Sequence, residues 1–66
     1  MFKEAIAVFK LNVEAYPNFG APYDSLAEAY MLTDQKDLAI KNYKKALELD
    51  PNNSNAKVML KKLNEK

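Results

Sequence analysis

The side chains able to do chemistry in this 66-residue chain are few, and their spacing limits what they can do. Ser25 and Ser54 are the serines, and no His or Cys accompanies them. A serine nucleophile therefore has no imidazole base, and no thiolate or imidazole is present to hold zinc. Asp24 and Glu28 stand four residues apart, which on a helix sets two carboxylates on one face. A hard cation such as Ca²⁺ takes six or more oxygens, usually from a loop, so this pair reads as a solvated acidic strip. Gly20 is the only glycine, so no glycine-rich phosphate loop exists. Met1, Met31 and Met59 read as initiator, groove lining and core. The chain is predicted to be no enzyme and to hold no cofactor or metal.

The ten basic residues are all Lys, against nine acids for a net charge of +1, and they are unevenly placed. Residues 1–33 carry two Lys and four acids (net −2); residues 34–66 carry eight Lys and five acids (net +3). Lys41, Lys44, Lys45, Lys57, Lys61, Lys62 and Lys66 could touch phosphates. Without Arg for bidentate readout or interleaved aromatics for stacking, the simpler reading is a solubilising face, and nucleic acid is not the expected partner. Lys3, Glu4 and Lys10 interrupt any leader-like apolar core at the start. No apolar run approaches the ~20 residues of a membrane span, so no membrane partner is expected.

Apolar spacing is helical throughout. Phe2, Ala5, Ile6, Phe9, Val13 and Tyr16 define a first inward stripe, ended by Pro17. Asn18, Phe19 and Gly20 read as a turn, and Pro22 suits the first turn of a second helix with Tyr23, Leu26, Ala27 and Tyr30 inward, to about Leu32. A third helix, about 36–49, points Leu38, Ala39, Ile40, Tyr43, Ala46 and Leu47 inward. Asp50-Pro51-Asn52-Asn53 breaks it, and Asn53 caps a fourth helix with Ala56, Met59, Leu60 and Leu63 inward.

Shifting the chain by 34 residues aligns Ala5 with Ala39, Ile6 with Ile40, Lys10 with Lys44 and Glu14 with Glu48. It also aligns Pro17 with Pro51, Asn18 with Asn52 and Leu26 with Leu60, seven identities in 32 pairs. A helix–turn–helix repeat of this length resembles the tetratricopeptide repeat. Tyr23, Leu26, Ala27 and Tyr30 stand where that pattern has W, L, G and Y; Ala39, Tyr43, Ala46 and Pro51 follow in the second helix. The expected fold is an all-α, helix-turn-helix array of four helices in one domain, 1–66. Residues 1–17 form the second helix of a partial repeat, 19–52 one full repeat and 53–66 a terminal capping helix.

The resemblance implies a non-catalytic scaffold whose partner is a protein or peptide. Its groove would be lined by Ala21, Asp24, Glu28, Met31 and Leu32, with Asn55, Val58 and Lys62 opposite. The carboxylate-gripping Lys and Asn of one subset of the family are replaced here by Asp24 and Glu28, which favours a basic or apolar peptide unless Glu28 pairs with Lys62. Two departures stand out. Asn12 replaces a small residue, and the turn Thr33-Asp34-Gln35-Lys36 lacks Gly, so the second and third helices could fuse and give a domain-swapped homodimer. On the first helix Val8, Leu11 and Ala15, widened by Ala7, add a second apolar line where the third has Asn42, Lys45 and Leu49. Such a patch marks an interface with an upstream helix, a parent domain or a second copy. Residues 5–17 with Tyr23-Asp24-Ser25-Leu26 are also similar to repeat tails of bacterial serine hydrolases, which implies a structural appendage as an alternative role.

Overall fold

The computed structural model describes residues 2–64, with side chains from residue 3. The inward expectation for Phe2, the initiator reading of Met1 and the basic contribution of Lys66 lie outside the described side chains. Four helices are described and no strand: α1 (Phe2–Ala15), α2 (Gly20–Leu32), α3 (Lys36–Leu49) and α4 (Ser54–Asn64). Each packs chiefly on its neighbour in sequence, in a slab of 29 × 25 × 14 Å.

Each helix stops for a local reason. Pro17 disfavours helical geometry at Tyr16, and the Phe19 amide then closes a turn on the Tyr16 carbonyl at 3.2 Å. Gly20 opens α2 rather than lying in the turn, and Pro22, third in the helix, loses an N–H that had no partner there. The Thr33–Lys36 segment does not continue the helix. Asp34 adopts φ 60°, its amide donates to the Met31 carbonyl (3.1 Å), and the Gln35 amide donates to the Tyr30 carbonyl (2.8 Å). This is a Schellman closure with Asp in the left-handed position usually given to Gly. Asn53 caps α4 as expected, its Oδ1 accepting from the Ala56 amide at 3.0 Å.

The core joins Leu26, Ala27 and Tyr30 of α2 to Ala39, Tyr43 and Ala46 of α3 and Ala56 of α4. Ile6, Phe9, Val13, Tyr23, Leu47, Met59, Leu60 and Leu63 pack around it. Ala27, Ala39, Ala46 and Ala56 are each fully buried, because only a methyl fits where these helices cross. Two expected inward residues lie outside: Tyr16 is 55% exposed, beyond the end of α1, and Leu38 is 39% exposed. Leu38 is only partly covered because α2 and α4 flank α3 on its other faces. Gly20 meets α3 closely. A Cβ built there would stand 2.9 Å from the Ala46 carbonyl oxygen and 3.1 Å from Asp50 Cβ.

Two substitutions should therefore move stability in opposite directions. Gly20→Ala drives a methyl into backbone and should cost about 1–3 kcal/mol. Asp34→Gly releases left-handed strain and should gain about 0.5–1 kcal/mol. Thermal unfolding followed by circular dichroism reads both; a Gly20→Ala variant as stable as the parent would mean the α2–α3 crossing is looser than described.

Candidate functional site

The repeat places α2 and α4 side by side with α3 beneath them. Between them opens a hollow of about 280 Å³, lined by Glu28, Met31 and Leu32 of α2, Tyr43 of α3, and Asn55 and Met59 of α4. Four expected groove residues (Glu28, Met31, Leu32 and Asn55) thus meet there. Ala21, Val58 and Lys62 do not line it. Tyr43 and Met59 were assigned to the core by their helical spacing, which cannot reveal that a core side chain also floors a hollow.

Asp24 is not an open groove acid. Its half-buried carboxylate accepts from Asn53 Nδ2 at 3.1 Å and from Asn55 Nδ2 at 2.9 Å. Asn53 therefore does two jobs, capping α4 with its oxygen and holding α2 with its amide nitrogen. The 29-residue separation between Asn53 and Asp24 hides this clasp from any local pattern. Glu28 is exposed and does not pair with Lys62. Among the described residues it makes no ion pair and no hydrogen bond, whereas Lys45 and Glu48 pair at 3.4 Å. No cluster of three metal-ligating side chains occurs among the described residues.

Tyr43, 1% exposed, points its hydroxyl toward Met31 Sδ at 3.6 Å. Burial, then the charges of Asp24 and Glu28, push its phenol up from the ordinary 10 to about 12. The hollow is thus apolar below and negative at its rim.

A second hollow, of about 240 Å³, lies between α1 and α2 and is lined by Ala5, Phe9, Ser25, Glu28, Ala29 and Leu32. Ser25 sits half-buried here, without a base. On the far side of α1, Val8 and Leu11 are 54% and 63% exposed, and Ala7 and Ala15 are exposed with them. Beyond the end of α1, Tyr16 and Phe19 are also exposed, their rings edge-to-face with centroids 6.1 Å apart and Phe19 62% exposed. The exposure of this aromatic pair was not anticipated; both residues flank Pro17, where a helical stripe no longer says which way a side chain points.

Residues 25–53 match the family model of the tetratricopeptide repeat. Over the described residues the chain is an all-α, tetratricopeptide-like array of four helices. Such repeats are typically non-catalytic scaffolds that mediate protein–protein interaction. No curated protein matches the chain. No helix among the described residues is long and apolar enough to cross a membrane.

Two measurements probe this site. Asn53→Ala removes a cap and half the clasp and should cost about 1–2 kcal/mol, whereas Asn55→Ala removes one exposed hydrogen bond and should cost about 0.5 kcal/mol; urea unfolding that ranks them in reverse would refute the double role. The second concerns alkaline pH. The unfolded chain ionises Tyr43 near 10 and the folded chain near 12, so this contribution to stability is complete below pH 10 and lost toward pH 12. The loss should approach ~1.4 kcal/mol per pH unit across that window, and Tyr43→Phe should flatten it.

Proposed function

We propose that this chain is a protein-interaction module that docks through the uncovered face of α1. The supporting observation is the contrast between α1 and its repeat equivalent, α3. Ala39, Tyr43 and Ala46 of α3 are covered by α2 and buried to 1% exposure or less. The matching Ala5 and Phe9 of α1 are only half-buried, and Asn12 is exposed. Beside them, Val8 and Leu11 replace the Asn42 and Lys45 of α3, so the apolar arc of α1 is wider than its single neighbour can cover.

The opposite end of the array is built differently. Where α2 presents Tyr23, Ala27 and Tyr30 to the core, α4 carries Lys57, Lys61 and Asn64, all exposed. Stacking another helix there would bury lysine against a close crossing, at a cost of several kcal/mol. Head-to-tail growth through α4 is therefore disfavoured, and the α1 face is the available surface. A domain swap at Thr33–Lys36 would exchange the α1–α2 pair as a unit and leave α1 as uncovered as before, so a swapped homodimer does not meet this need. The likeness of residues 5–17 and of Tyr23-Asp24-Ser25-Leu26 to hydrolase tails fits the same face, with a larger enzyme as the occupant.

Light scattering across a concentration series tests the reading on the chain alone. Self-association should raise the mass above 7.5 kDa, and Val8→Lys with Leu11→Lys should return it to the monomer without loss of helicity. Equal mass and equal solubility for parent and double variant would leave the α1 face without a role.

A further inference from the structure

The hollow between α2 and α4 has a chemistry of its own, separate from the α1 face. Met31 and Met59 supply thioethers that reshape around an unbranched chain, and Tyr43 closes the floor. At the rim stand the Glu28 carboxylate, which has no hydrogen bond or ion pair among the described residues, and the Asn55 side chain. Asn55 Nδ2 gives one of its two N–H donors to Asp24, and its carbonyl oxygen is an acceptor with no hydrogen bond among the described residues. The rim thus offers a ligand two acceptors, the Glu28 carboxylate and the Asn55 carbonyl, and the charged group among the lining residues is the Glu28 carboxylate. Asp24 lies just behind, its charge held in place by two amides and not cancelled by a cation. Burial first, and then these same two carboxylates, raise the phenol of Tyr43. A flexible apolar stem ending in a multi-donor cation matches this set: the stem lies along the methionines and the head reaches the acceptors.

We propose that this hollow is a specificity pocket for one lysine side chain of a partner polypeptide, its methylene stem between Met31 and Met59 and its ammonium on Glu28 and the Asn55 carbonyl. The pocket rests on the reading of the chain as a protein-interaction module, and it names the side chain such a partner presents. A carboxylate is disfavoured by Glu28 and Asp24 together, and a bare apolar chain leaves both rim acceptors unanswered. About 280 Å³ accommodates a lysine side chain with room for water at the open rim.

The test uses three acetylated, amidated hexapeptides that differ at one central position: lysine, norleucine or glutamate. Binding is read from the ε-methyl signals of Met31 and Met59 and the ring signals of Tyr43 in heteronuclear NMR titrations at moderate salt. The lysine peptide should give saturable shifts at all three residues and bind about three- to fivefold more tightly than the norleucine peptide, the advantage expected of one partly exposed charge pair. The glutamate peptide should be weakest. Glu28→Gln should erase the lysine preference while leaving norleucine binding unchanged, and the preference should shrink as salt rises. Val8→Lys with Leu11→Lys should leave the preference intact, because that face is elsewhere. Equal binding of lysine and norleucine, a preference that survives Glu28→Gln, or no saturable shift at Met31 and Met59 would each overturn the pocket. A failed pocket beside a changed solution mass for the α1 double variant would still leave the interaction-module reading standing.

Discussion

The close crossing of α2 over α3 carries this structure. Gly20 meets the Ala46 carbonyl at a distance no side chain could share, and Ala27, Ala39 and Ala46 are buried without remainder. Because the backbones approach so nearly, Leu26, Tyr30 and Tyr43 can fill the space around the crossing and exclude water from it. Small residues at the crossing and large ones around it are two halves of one packing solution. A chain this short has little else to draw on, since burial and ordering costs nearly cancel at this size.

The hollow and the uncovered face both follow from that crossing. Seating α2 on α3 aligns α2 beside α4, and the gap between them is the hollow floored by Tyr43. The same geometry, repeated one step earlier, leaves α1 packed mainly on α2 and more exposed than its repeat equivalent α3. The Asp24–Asn53–Asn55 clasp ties the two walls of the hollow together, so a groove of short helices holds its width without a metal or disulfide. It also frees Glu28 from structural duty, which leaves one carboxylate at the rim available for recognition.

The helices, their breaks and most of the core were legible in the residues. Apolar spacing, Pro17, Pro51 and the Asn53 cap act within one or two turns of chain, and the 34-residue identity exposes the repeat. Tyr16 and Leu38 were misread for a shared reason: spacing assigns a face to a helix, but a neighbour must reach that face to bury it. A Glu28–Lys62 pair stood as the alternative to a ligand role on sign and placement, yet sign says nothing of the distance between two long exposed side chains.

The sequence by itself determined that the chain is helical, repetitive and poor in reactive groups, because helix period, proline and the absence of His and Cys are local or compositional facts. Tertiary structure alone decided that Asp24 is a clasp rather than a groove acid. It also decided that Asp34 can close the turn without glycine, and that Tyr43 and Met59 floor a hollow as well as a core. These outcomes depend on which distant atoms come within hydrogen-bonding or van der Waals reach, a quantity fixed by the crossing angle and separation of helices. No residue pattern on a single helix contains that distance.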